Sequence, residues 1–151
     1  MTVKDFIAKY KPCSDAVTWL EEFTTMSDAW EACRRSDWML WSLGKSDYND
    51  EKKLRAYACY CVRHTPLGDG RVVWDLLTDE RSRNAIEVAE RYIEGKATQE
   101  ELAAAGSAAR SAAWSVWCAA GYAGSAVGSA AQSDFMRKII GNPFKIVEVK
   151  E

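Results

Sequence analysis

The chain has 151 residues, 48% of them hydrophobic and 28% charged, with a formal net charge of −2. That length and balance suit one globular domain with a sizeable core. They exclude a strongly basic nucleic-acid binder and a strongly acidic nucleic-acid mimic.

Helix signals then follow one another along the chain. Thr2 and Asp5 have capping-box spacing ahead of a short helix to about Tyr10, which Pro12 stops. Ser14 or Asp15 can cap the next, with Ala16, Leu20 and Phe23 on one face and Glu21 and Glu22 on the other. Ser27 is expected to cap a third helix carrying Trp30 and Cys33, and Ser36 with Asp37 opens a fourth that ends at Gly44. Asp50 is the expected cap of a fifth. In it Leu54, Tyr57, Ala58, Cys61 and Val62 fit the i, i+3, i+4, i+7, i+8 helical template. Residues 65–70, with Pro66, Gly68 and Gly70, read as a loop, and residues 72–77 as a short helical turn. Thr78 or Asp79 caps a helix to Glu94 with Ala85, Ala89, Tyr92 and Ile93 inward, ended by Gly95. Thr98-Gln99-Glu100-Glu101 is a capping box for the last and longest helix.

That last helix holds the most unusual stretch, an uncharged run over 111–133 rich in alanine, glycine and serine. A helix small and uncharged on all sides must be surrounded by other atoms. The run is long enough to span a bilayer, but glycines at 121, 124 and 128 and polar residues such as Ser125, Ser129 and Gln132 argue for protein surroundings instead. Close helix approach would run along Gly121, Ser125 and Ser129, and along Ala120, Gly124 and Gly128. One helix over 98–140 would be about 65 Å long, so a kink or split is expected near Gly121 and Gly124. Gly141-Asn142-Pro143 stops it, and Phe144 opens an extended tail. The expectation is an all-α, single-domain multi-helix bundle around a long Ala/Gly/Ser-rich central helix. Short helices fill 1–44, amphipathic helices 50–95, the alanine-rich helix 98–140 and the tail 141–151.

Chemistry-bearing residues are few. Cysteines stand at 13, 33, 59, 61 and 118 with no apolar leader before them, the pattern of reduced, buried thiols in a cytoplasmic protein. Cys59 and Cys61 point to different sides of a helix, which is poor metal geometry, so no metal and no cofactor is expected. His64 is the one histidine, at the end of a cationic helix, where a cation suits the helix dipole. Glu80, Arg83, Glu87, Glu90, Arg91 and Glu94 recur at helical spacings and read as a solvated face of ion pairs along one helix. Gly68-Asp69-Gly70-Arg71 lacks a Walker lysine. Seven tryptophans are many for this length and serve mainly as core. Trp38 and Trp41 sit beside Arg34, Arg35 and Asp37, and Tyr60 beside Arg63, so either cluster is a candidate interaction surface.

Three blocks carry a resemblance. They are AWEACRRSDWMLWSLGK, then KLRAYACYCVRH through LLTDERSRNAIEVAERYIEGKATQEEL, then QSDFMRKIIGNPFKIV, together covering about 29–147. The chain resembles the immunity-protein family of bacterial polymorphic-toxin systems, which also occurs in phage genomes. The resemblance implies an all-α, non-enzymatic inhibitor that neutralises a toxin or effector by direct binding, and it carries over no catalytic motif. Asp79, Glu80, Arg81 and Arg83 form the charged block shared with that family. The candidate surface is Arg34, Arg35, Asp37, Trp41, Tyr60, Arg63, His64, Arg71, Arg81 and Arg83. The expected partner is a protein, either a toxin or a defence-system component, rather than a membrane or a nucleic acid. Two alternatives stay open. One is a phage-encoded anti-defence protein that inhibits or sequesters a protein or nucleotide signal. The other is a nucleotide- or phosphate-binding module or enzyme using Arg63, His64, Arg71, Arg81 and Arg83.

Overall fold

Side-chain caps set the starts of several helices. In the computed structural model, which describes residues 1–107 and 125–145, helix α1 spans Val3–Tyr10 behind Thr2, whose hydroxyl accepts from the Asp5 amide at 3.1 Å. Helix α2 spans Ser14–Leu20. Neither Ser14 nor Asp15 caps it: Cys13 holds the cap position and makes no side-chain hydrogen bond there. Helix α3 spans Met26–Ala32, and its cap is Thr25, not Ser27. Thr25 accepts from the Asp28 amide at 3.1 Å. The helix therefore begins two residues earlier than the sequence pattern suggests, because an antiparallel bridge between Thr2 and Thr25 holds the preceding backbone extended. Ser36–Leu43 forms α4 and Glu51–His64 forms α5, the latter capped by Asp50 as expected. A hairpin-like loop with Gly68 and Gly70 at positive φ leads to a 3-10 turn, Val73–Leu76. Helix α6, Glu80–Ile93, is capped by Asp79 and closed by Gly95 at φ 75°. A helical segment over 99–107, α7, starts in the reciprocal box in which Glu101 accepts from the Thr98 amide and Thr98 from the Glu101 amide. Ser125–Ile139 is α8. The molecule is an all-α helical bundle, and no strand occurs among the described residues.

Helix α8 packs on α4 and α5, while α5 also meets α6 and the 3-10 turn. Being covered on two sides widens the buried stripe of α5. Tyr57 and Cys59 are its buried residues, whereas Ala58, expected inward, is exposed. The first core cluster joins Trp30, Cys33, Met39, Leu43, Tyr57, Met136 and Ile140. The second joins Val3, Phe6, Leu20, Met26 and Ala29, and Trp19 and Phe144 pack against both.

The polar residues of α8 have partners that the sequence did not name. Ser129 accepts from the Ser36 amide at 3.0 Å, Ser36 donates to Gln132 at 3.0 Å, and Gln132 donates to Thr65 at 3.2 Å. This chain ties α8 to the start of α4 and the end of α5. Gly128 is buried, and a Cβ built there would lie 3.2 Å from Thr65 Cγ2 and 3.5 Å from the Pro66 carbonyl oxygen. The close-approach reading therefore holds at Gly128. Ala120, Gly121 and Gly124, with the kink expected among them, lie outside the described residues, as do Trp114, Trp117, Cys118 and the tail after Lys145.

Arg137 and Asn142 fasten α3. Arg137, 19% exposed, donates to the Trp30 and Cys33 carbonyls at 3.0 and 2.8 Å, satisfying orphan groups at the helix C-terminus. Asn142 donates to the Ser27 carbonyl and to Glu31, and Trp30 donates from Nε1 to the Gly141 carbonyl at 2.9 Å. The Asn142 amide, with Lys145 beside it, holds the Glu31 carboxyl below its usual value.

Candidate functional site

The structure divides the candidate residues between two regions. On α4, Arg35 and Asp37 form a bidentate pair at 2.9 and 2.6 Å, and the guanidinium lies 4.4 Å from the Trp38 ring centroid. The pair starts α4, where neither Arg35 nor Ser36 supplies a side-chain cap, and it holds the Asp37 carboxyl below its usual value. One turn on, Leu40 and Trp41 are 44% and 39% exposed. They are large apolar side chains on the surface, while Met39, Ser42 and Leu43 of the same helix are buried. Trp41 is held edge-on to Phe6 at 5.9 Å, with the Lys45 ammonium 5.5 Å from its ring centroid. Arg34 is exposed nearby, and its carbonyl accepts weakly from Ser129 at 3.4 Å.

Behind this face, α1 to α4 frame an open-sided cavity of about 470 Å³. Its walls are apolar, among them Ala16, Leu20, Met26, Ala29 and Met39, and Trp19, Trp30, Trp38 and Trp41 all border it. Lys11, Cys13, Arg35 and Asp37 stand at its lip and are exposed. The sequence reading missed this cavity, because its walls come from four helices whose apolar residues look like ordinary core one at a time. The signal available was the excess of tryptophan.

The second region lies on α5 and α6. Arg63 makes a bidentate pair with Glu90 at 2.8 and 2.9 Å and lies 3.6 Å from the Trp74 ring centroid. Arg83 approaches the same ring at 5.2 Å and donates to the Leu77 carbonyl. Arg63 and Arg83 thus meet around Trp74, each already engaged. Arg71 is bound to Asp69 and Arg81 to Asp79, each within its own turn. The Arg81 guanidinium and amide pull Asp79 down to about 2. The ion pairs expected along the face of α6 are replaced by the cross-helix pair from Arg63 to Glu90 and by the short loop-side pairs Asp79–Arg81 and Glu94–Lys96. Arg63 takes Glu90 and the Leu77 carbonyl takes Arg83, so neither Glu90 nor Arg83 is left for a pair along α6. His64 stacks on Tyr60 with centroids 4.1 Å apart, beside Phe135, and Lys138 donates weakly to the Tyr60 hydroxyl at 3.4 Å.

Of the cysteines described, Cys13 is exposed, Cys33 and Cys59 are buried and Cys61 is half-buried, all as free thiols. Burial raises the thiols of Cys33 and Cys61, and that of Cys59 to about 11. Among the described residues no group of three or more His, Cys, Asp or Glu side chains is placed to hold a metal ion. Nor is any helix among them long and apolar enough to cross a membrane. No protein-family model matches the chain, nor does any curated protein or solved structure.

Proposed function

We propose that the protein acts by binding another protein and blocking it, through the face of α4 that carries Arg35, Asp37, Leu40 and Trp41. The observation that carries the reading is the exposed Leu40–Trp41 pair, rimmed by Lys45 and by the Arg35–Asp37 pair. Apolar and aromatic anchors inside a charged rim are the usual anatomy of an interface. Trp41 is also held against Phe6, so little side-chain freedom is lost on binding. The resemblance to toxin-immunity proteins supports a toxin as the partner, and a component of a bacterial defence system is the rival. Nucleotide binding is the weaker reading. Arg63, Arg71 and Arg81 each hold a carboxylate of this chain, and Arg83 holds a backbone carbonyl. A phosphate would have to displace those partners.

Capture of partners from the native host, identified by mass spectrometry, tests the reading. Once the partner is known, Leu40→Asp and Trp41→Ala should each weaken binding by about 2 kcal/mol or more, and His64→Ala should leave it near the parent value. Full inhibition by folded Leu40→Asp and Trp41→Ala proteins, with His64→Ala inactive, would overturn it in favour of a catalytic role.

A further inference from the structure

The cavity behind α4 shares Arg35, Asp37 and Trp41 with the proposed binding face but carries an inference of its own. Its volume of about 470 Å³ lies within the range of small-molecule sites, and its walls have their composition: mostly apolar and aromatic, with few polar groups. Four of the chain's seven tryptophans border this one space. Trp19 and Trp38 stand with ring centroids 5.7 Å apart, and both are half-buried, so their faces are only partly covered by protein.

The charges at the lip do not cancel. Arg35 and Asp37 neutralise one another. Lys11 remains, exposed and without an ion-pair partner among the described residues. It is also the one non-glycine residue among them at positive φ, 49°. That backbone is the left-handed cap that ends α1, with the Lys11 amide donating to the Ile7 carbonyl at 3.0 Å, so the helix end fixes where the lysine sits. Pro12 follows it directly and lines the same cavity, so the link between α1 and α2 is part of the lip.

We infer that the cavity framed by α1 to α4 binds a small amphipathic organic anion, an apolar aromatic or aliphatic body on the tryptophan walls with a carboxylate at Lys11. The apolar lining selects the body. The net positive lip, in a chain that is negative overall, selects the sign of the head group.

The test uses the purified full chain with no partner protein, so it stands or falls independently of the inhibitor reading. Naphthoate and dodecanoate serve as anionic probes, naphthamide as the neutral one and naphthylmethylammonium as the cationic one. Tryptophan fluorescence and calorimetry should show saturable binding of at least one carboxylate, with a raised melting temperature. The amide should bind about tenfold more weakly, and the ammonium more weakly still. Lys11→Glu, an exposed change, should weaken carboxylate binding by about tenfold or more and leave amide binding unchanged. Ala16→Phe, which fills the cavity wall, should abolish binding of every probe; if that variant does not fold, Lys11→Glu alone decides. No saturable binding of either carboxylate, equal binding of carboxylate and ammonium, or carboxylate affinity untouched by Lys11→Glu would each overturn the inference. Dodecanoate binding without naphthoate binding would assign an aliphatic ligand, and the reverse an aromatic one; both support the site.

Discussion

Among the described glycines, Gly128 is where an added Cβ meets the nearest neighbour, Thr65 Cγ2 at 3.2 Å. Alanine there would trade about 1 kcal/mol of helix propensity against a contact that must give by a few tenths of an ångström. Leucine has no such balance. Gly128→Leu should lower the unfolding free energy by roughly 1–3 kcal/mol, read from urea denaturation; a midpoint equal to the parent's would refute close packing at this turn. Thiol chemistry separates by the same local logic. Alkylation requires the thiolate, and burial raises Cys33, Cys59 and Cys61 while Cys13 is exposed. Brief alkylation of native protein at neutral pH, followed by peptide mapping, should label Cys13 ahead of those three. Equal labelling of Cys13 and Cys59 would contradict the burial.

Arg137 gives helices α3 and α8 a polar link beyond the Trp30–Met136 core cluster they share. Arg137 reaches from α8 to two carbonyls at the end of α3, Trp30 and Cys33, and α3 is only 7 residues long. A helix that short has little stability of its own, so its end is held from outside. Arg137→Met keeps much of the side-chain volume but leaves those carbonyls without their donor, at about 1–3 kcal/mol. The Asp134 partner of Arg137 is 75% exposed. Asp134→Ala should therefore change stability by no more than about 0.5 kcal/mol. Thermal denaturation of both variants checks the contrast, and equal losses would mean that the surface pair matters as much as the carbonyl contacts. At this scale the sequence was readable where a cap is local. Thr2, Asp50, Asp79 and the box at Thr98 hold amides within their own first turns. It misled where the start is set from afar. Thr25 rather than Ser27 begins α3 because that segment bridges to Thr2, and Ser27 is occupied instead by Asn142.

At the scale of the molecule, five carboxylates among the described residues are expected to set the response to acid. Glu31, Asp37, Asp69, Asp79 and Glu94 all lie below their ordinary values, through hydrogen bonds from Asn142, Arg35, Arg71, Arg81 and Lys96 respectively. A carboxylate depressed in the native state stabilises it when ionised. That contribution is whole above the unfolded value and vanishes as pH falls through the native one. Stability should therefore hold down to the ordinary values of 4.5 for Glu and 3.8 for Asp and then decline toward about 2, where Asp79 titrates. Urea midpoints measured across that interval test it; a midpoint that rises on acidification would show that other groups dominate. Most of these pairs are exposed, so the decline should be shallow and should flatten in high salt.

The all-α class was determined by the sequence alone, because helix caps, stops and three-to-four-residue periodicity are local and survive any packing. Arg35, Asp37 and Trp41 stand out in the sequence because they fall within a turn or two of one another, whereas Leu40 does not, because its exposure is set by how α4 packs. What each side chain does was decided only by the tertiary structure. Arg63 looks like a free cation until α6 brings Glu90 to it and the 3-10 turn slides Trp74 beneath it. Ser129 and Gln132 look like breaks in an apolar run until α4 and Thr65 supply their partners. The tryptophan-walled cavity has no local signature, since its lining is gathered from four helices. Hydrogen bonds, stacking and cavities are properties of neighbours, and neighbours distant in sequence are chosen only when the helices pack.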